Sequence, residues 1–463
     1  MSSGWRRTLG LIPPGVWVIL ILAATSTLML AFRAGTPRDK IQYWIFAKQH
    51  QVLYRAMIER WNRDHPGHRV EMSLLNVPVL GQRMMSGFLS RTPVADVMEV
   101  ERQIAGTAFT GPLEDVGFVD ITDRLKQEGL LEGINTPSLS PWTSRGRIFG
   151  IPHDVHPVML MYRSDIVEAA GIDVNQIKTW DDFFRVMRPL MKDLDGDGRT
   201  DRYLLNAAPS DPNVAEMLLL QSGGALFDEQ ERPTMNSAAN VRTLTRLVPW
   251  FAGPTRSCRF GQAENSASAQ QIILDGLVVA VLTPDWLAGT LKQQVPGLAG
   301  KIKLMPLPAF DPGGRRTSVW GGTMLSISKA SPTPDVDWEF AKAIYLSREM
   351  AEGLYRATYI ISPIKANWTN PIYDEADPYF SGQPVGRMYI NLAPEVPPRP
   401  SSPYSKQAIE KLATSLIALV DYAERNRVYD PAALEPEARR LLDISQAQIS
   451  RVIDRNVFLS GKK

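Results

Sequence analysis

GRIFGIPHDVHPVMLMYRSDIVEAAGI, residues 146–172, is the stretch that decides the architecture. Arg147-Ile-Phe-Gly-Ile151 reads as a turn and short strand stopped by Pro152. Pro157 opens the apolar run Val158-Met-Leu-Met-Tyr162. A helix is expected from Ser164-Asp165, where a hydroxyl and an early carboxylate suit its positive end, and Gly171 is where it should stop. The two prolines bracket His153-Asp154-Val155-His156. Each fixes its own φ and pushes its predecessor toward extended geometry. The segment therefore reads as a stiff, extended crossing between two packed bodies, with polar side chains facing whatever lies between them.

The order of motifs here, basic-aromatic-Gly-x-Pro, then Tyr162-Arg-Ser-Asp165, then a helix ending in Ala170-Gly-Ile172, resembles the extracellular solute-binding proteins of ABC importers. The match is to their carbohydrate branch, which includes maltose-binding protein. Tyr162-Arg-Ser-Asp165 stands where that family usually shows Tyr-Asn-Lys-Asp. The resemblance implies an α/β, two-lobed periplasmic-binding-protein fold of type II with a hinged cleft, this stretch being the first hinge crossing.

Working outward, residues 40–46 read as a strand, 51–63 as a helix with Leu53, Met57, Ile58 and Trp61 at helical spacing, and 70–75 as a second strand. Such a β-α-β opening implies parallel pairing through a right-handed crossover. Residues 94–100 read as a third strand. Downstream, Thr179 should cap a helix, with Asp182 completing the capping box. Residues 270–281 read as a helix and a buried strand leading to Thr283-Pro-Asp-Trp286. Residues 318–331, SVWGGTMLSISKAS, resemble the family's second crossing. The remainder begins Pro-rich and then carries amphipathic helices over 406–425 and 435–458. The expected organisation is an N-terminal signal anchor and linker (1–38), the first part of lobe 1 (39–153), the first part of lobe 2 (154–319), a return to lobe 1 (320–364), and C-terminal helices covering lobe 2 (365–463).

A chain of 463 residues with 44% hydrophobic content can build two separate cores. Its net charge of +2 argues against nucleic acid as a partner, which calls for a concentrated basic face. The lone Cys258 excludes an intrachain disulfide and a cysteine-rich metal site. The N-terminus is different material. Trp5-Arg6-Arg7 precedes residues 16–32, VWVILILAATSTLMLAF, which carry no charge. With Leu11 and Ile12 the run nears the ~20 residues that span a bilayer. No small-x-small cleavage site ends it. The expectation is an N-terminal transmembrane helix: a single membrane pass with the bulk of the chain on the extracytoplasmic, periplasmic side. A long cleaved signal peptide is the alternative.

The resemblance places candidate ligand-binding residues at strand ends and crossings. They are Trp44, Lys48 and Gln49 after the first strand, Glu99 and Glu101 at the third, and His153, Asp154 and His156 at the crossing; Trp286, Trp320, Gly321, Gly322 and Tyr359 complete the set. Ligands of open α/β sheets bind beyond the carboxyl ends of strands. Carbohydrate suits these residue types, because sugar rings lie flat on aromatic faces while their hydroxyl rims need carboxylates and amides. Lys48, Arg102 and Arg145 leave an anionic ligand open.

Alternating Asp193, Asp195 and Asp197, with Gly198 in the sixth place and Asp201 in the ninth, follow the oxygen-rich order of a calcium loop. Leu204 occupies the twelfth place, where an EF-hand requires a bidentate Glu. A structural calcium is the candidate here, and no cofactor is required. The five histidines show neither HExxH nor Cys-His spacing and read as polar surface or hinge residues. Cys258 lies between Arg256 and Arg259, near cations that lower a thiol pKa when they reach it. Glu99 and Glu101 sit two apart on one strand and point the same way, so alone they cannot bracket a glycosidic bond. The expected function is a membrane-tethered receptor, not an enzyme, that closes on a mono- or oligosaccharide and delivers it to ABC permease subunits. A sensor docking on a membrane kinase, or an enzyme on the same fold, are the alternatives.

Overall fold

A computed structural model describes residues 13–33, 40–259 and 266–457. Ten strands within them build two five-stranded sheets: β1 (Lys40–Ile45), β2 (Arg69–Leu74), β3 (Val97–Glu101), β4 (Ile151–Pro152), β5 (Val158–Arg163), β6 (Tyr203–Asn206), β7 (Cys258–Arg259), β8 (Val278–Pro284), β9 (Ile302–Pro306) and β10 (Thr323–Ile327). The first sheet runs β2-β1-β3-β10-β4 and the second β9-β5-β8-β6-β7.

In the first lobe β1 pairs in parallel with β2 and β3. The intervening helix, Lys48–Asp64, buries Tyr54, Met57, Ile58 and Trp61, the i, i+3, i+4, i+7 face that periodicity requires. β10 arrives from far along the chain and lies antiparallel to β3, with Leu325 beside Glu99 and Thr323 beside Glu101. In the second lobe β5 is antiparallel to both β8 and β9. All six of its residues are buried, which fits a strand covered on both faces. Thr179 and Asp182 form the expected capping box on the helix Trp180–Met187. The long helices Ser405–Asn426 and Pro431–Arg455 lay Leu412, Leu416, Leu419, Leu434 and Leu442 onto the same core as Leu218, Leu244 and Val248.

The lobes are joined where residues 153–157 and 318–322 cross side by side. His153 N donates to Thr323 O (2.9 Å), Trp320 N to His156 O (3.3 Å) and Val158 N to Ser318 O (3.2 Å). A third segment joins them, since Val155 N donates to Ile361 O at 3.2 Å. Gly321 and Gly322 carry φ values of 116° and 131°. A Cβ on Gly321 would stand 2.5 Å from His156 Cδ2, so side-chain bulk is excluded here by conformation and by space together.

The N-terminal expectation is corrected. The segment does form a helix, Pro14–Arg33. Yet among the described residues no helix is long and apolar enough to cross a membrane. The strongly apolar block, Val16 to Leu22, gives way to Ala23-Ala-Thr-Ser-Thr27, where Thr25 and Thr27 hydroxyls bond back to Ile21 and Ala23 carbonyls. That block falls short of the ~20 apolar residues a bilayer demands. The transmembrane helix, the tether to the membrane and the single-pass location are therefore withdrawn.

Candidate functional site

Between the lobes lies a cavity of about 370 Å³. The carboxyl end of β1 supplies Phe46, Ala47, Gln49 and His50, and the end of β3 supplies Glu101. Across from them Trp286, Thr290 and Gln293 project from the helix Asp285–Gln294, which follows β8 directly. The crossings close the floor with Asp154, His156 and Gly321 to Thr323, and Thr358 and Ile360 complete the wall. Strand ends from two sheets thus converge on one space, the position open α/β sheets reserve for ligands.

Seven of the residues named from sequence line this cavity: Gln49, Glu101, Asp154, His156, Trp286, Gly321 and Gly322. The others lie elsewhere. Trp44 packs half-buried on the first-lobe core, and Lys48 is exposed. Glu99 and His153 are buried behind the wall. The Trp320 ring is buried in the second-lobe core, where it meets Trp286 edge-on at 6.1 Å. Tyr359 is buried beside Lys292, whose Nζ lies 2.6 Å from its hydroxyl. Thr290 and Gln293 were missed. Their signal was present, since positions four and seven after Trp286 share its helix face.

Trp286 is held in place. Its Nε1–H donates to the Trp320 carbonyl at 2.9 Å. The floor is charged. His156 Nε2 lies 3.0 Å from Asp154 Oδ2 and its Nδ1 2.6 Å from Asp285 Oδ1. Both ring nitrogens face carboxylates, so both must donate. Burial pulls the imidazole pKa down, but the two carboxylates outweigh it and push it up to about 10. Asp154 also accepts from Thr323 N (3.2 Å), and Asp285 from Ile361 N (2.9 Å). Although burial opposes its charge, the adjacent His156 and His153 hold the Asp154 carboxyl well below the usual range. This charged group ties the first crossing to the helix Asp285–Gln294 and to the third segment.

A pH dependence follows. A folded-state pKa raised from about 6.5 to about 10 gives stability that is complete below pH 6.5 and lost as pH climbs through 10. The melting temperature of a His156→Gln variant should trail wild type most at pH 6, with the gap narrowing steadily toward pH 10. A gap independent of pH would mean that His156 is not a cation in the folded protein.

A second charged group bridges the lobes. Arg102, after β3, places Nη2 2.8 Å from Glu216 Oε2 on the second-lobe helix Pro212–Gln221. Arg399 Nη1 lies 3.7 Å from the same oxygen, and its Nη2 donates to Gly321 O. Burial, with Arg102 alongside, presses the Arg399 pKa down to about 9. Beside the group, Gln103 Nε2 donates to Asn213 Oδ1 at 3.0 Å, another contact from lobe to lobe.

The family model for bacterial extracellular solute-binding proteins matches residues 47–351, from the first helix of one lobe to beyond the second crossing. The chain belongs to that family. This solute-binding protein is 21% identical over 412 residues to the arabinooligosaccharide-binding protein of Halalkalibacterium halodurans, covering 88% of this chain and 89% of that one. It is 23% identical over 393 residues to a lactose-binding protein of Rhizobium radiobacter, covering 81% and 87%. Among solved structures, the sugar-binding protein MalE of Xanthomonas citri superposes with a TM-score of 0.71 at 15% identity, covering 90% of this chain and 99% of that one. Fold and family are those of non-catalytic solute-binding proteins. Cys258 fits this: it is fully buried, and burial pushes its thiol pKa up despite Arg256.

On the surface of the solute-binding protein, Asp193, Asp195 and Asp197 bring carboxylate oxygens within 4.8 Å of one another, a set able to chelate a divalent cation. Gly196 and Gly198, at φ 82° and 85°, fold the loop so that their N–H groups donate to Asp193. Asp201 turns inward and accepts from Leu194 N at 2.7 Å.

Proposed function

We propose that this protein captures a mono- or oligosaccharide outside the cytoplasm by closing its lobes, and presents it to the permease of an ABC importer. The observation carrying this reading is the interlobe cavity at the carboxyl ends of β1, β3 and β8, with Trp286 on one wall and Glu101 and Gln49 on the other. Trp286 supplies an apolar face for a sugar ring, while the carboxylate and amides receive hydroxyl groups. Closure excludes water and strengthens those polar contacts. The relatives named above carry arabinooligosaccharide, lactose and sugar binding in their names, which supports this ligand class. The ligand contacts are assigned to Gln49, Glu101, Asp154, His156, Trp286, Gly321 and Gly322, with Thr290 and Gln293 added. Sheet membership supports the lobe boundaries at 39–153, 154–319 and 320–364, because β10 returns to the first sheet. Packing of the last two helices on the second-lobe core supports 365–463 as its cover.

The test is a thermal-shift screen against arabino-, galacto- and malto-oligosaccharides, lactose and polyols, with chromatography of the recovered sugar. Binding raises the melting temperature by mass action. A shift with the sugar recovered intact is expected; no shift from any saccharide sinks the reading. The Asp-rich loop is assigned calcium, the hard cation that suits exposed carboxylates. Calcium at ten times its Kd should then add about 1.4 kcal/mol of stability. Asp195→Asn should remove that gain, and an equal gain in the variant would place the ion elsewhere.

A further inference from the structure

Behind the cavity wall three metal-ligating side chains meet. His50 comes from the first turn of the helix Lys48–Asp64, Glu99 from β3 and His153 from the first crossing. Their donor atoms all lie within 4.8 Å of one another. His50 Nδ1 is 3.0 Å from Glu99 Oε2, and the two imidazole rings are 4.5 Å apart between centroids. All three side chains are buried, at 5%, 0% and 4% exposure. We propose that His50, Glu99 and His153 form a site for one divalent transition-metal ion, with zinc the best fit.

Four observations carry this. The donor set is two imidazoles and a carboxylate, which suits zinc, cobalt or nickel better than calcium or magnesium. Donors around a tetrahedral zinc stand about 3.3 Å apart, given bonds of about 2.0–2.1 Å, so small side-chain shifts close the site. Two of the three ligands already have outer partners of the kind that orient metal ligands. His153 Nδ1 lies 3.3 Å from Asp154 Oδ2, and the hydroxyls of Tyr54 and Tyr345 reach Glu99 Oε1 at 2.7 and 2.8 Å. An entry path exists as well, because His50 and Asp154 both line the cavity.

The test uses the full chain, freed of metal with a chelator and then titrated with Co²⁺ and with Zn²⁺. One equivalent of Co²⁺ is expected to bind and give visible d–d bands, with Zn²⁺ displacing it. His50→Gln and Glu99→Gln should each weaken uptake at least tenfold, each variant checked for native circular dichroism. Glu339→Gln, at an exposed carboxylate outside both sets of metal-ligating residues, should leave uptake unchanged. The proposal is overturned if wild type takes up no ion at micromolar concentration. It is equally overturned if both inner variants bind as wild type does, or if Glu339→Gln abolishes uptake. No saccharide enters the experiment, so its outcome is independent of the transport reading.

Discussion

Replacing Glu216 by alanine is expected to destabilise the protein by about 3–5 kcal/mol, because one member of a buried ion group is removed and its partners stay. Arg102 and Arg399 are 7% and 6% exposed, too little for water to replace the lost carboxylate. Their Nε atoms are buried and already without a hydrogen-bond partner. Glu101 stays nearby, but burial raises its pKa and makes it a poor substitute anion. The measurement is urea unfolding followed by circular dichroism. Glu216→Gln keeps an acceptor for Arg102 and should cost less than alanine. Because Glu216 and Arg102 sit on different lobes, the alanine variant should also open the molecule, read as a larger radius of gyration in small-angle scattering. A loss under about 1 kcal/mol would rank this pair with exposed salt bridges and remove its role as a clasp.

Trp286→Ala is expected to weaken binding of the saccharide found by screening roughly 30-fold, about 2 kcal/mol, the scale of a buried aromatic anchor. The ring is oriented before any ligand arrives. Its N–H is fixed on the Trp320 carbonyl, and the Trp320 ring meets it at 88°. Little ordering is left for the ligand to impose, so the contact counts in full. Trp286→Phe keeps a flat face but loses the hydrogen bond and should fall between the two. Isothermal titration calorimetry reads all three. An unchanged Kd in the alanine variant would move the ligand off this wall. Thermal melts of the variants guard against a folding defect, since Trp286 packs partly on both second-lobe cores.

Legibility in the sequence varied with the range of the interaction concerned. The strand-helix-strand opening and the capping box at Thr179 are local, and propensity and spacing suffice for them. The crossings were legible only in part: Gly321 and Gly322 take the positive φ that glycine permits, whereas His156, before Pro157, sits at φ 53° and not in the extended geometry expected of it. The N-terminal run is uncharged over 16–32, yet among the described residues it forms no helix long and apolar enough to cross a membrane.

The candidate site was only half legible. Glu99 and Glu101 share a face of β3, but two residues along a strand is about 7 Å. Glu101 therefore reaches the cavity while Glu99 lies deep against His50. Trp320 stands on a crossing, yet its ring turns into the second-lobe core and only its carbonyl serves the site.

The sequence by itself determined two α/β bodies, the segments that cross between them and the residue types available at the gap, because each follows from neighbours along the chain. Tertiary structure alone decided which side chains face the cavity. It also brought His50 to Glu99, 49 residues away, Tyr54 to His153, 99 away, and Arg102 to Glu216, 114 away. Such meetings depend on how two independently packed cores are set against each other, and no local pattern encodes that.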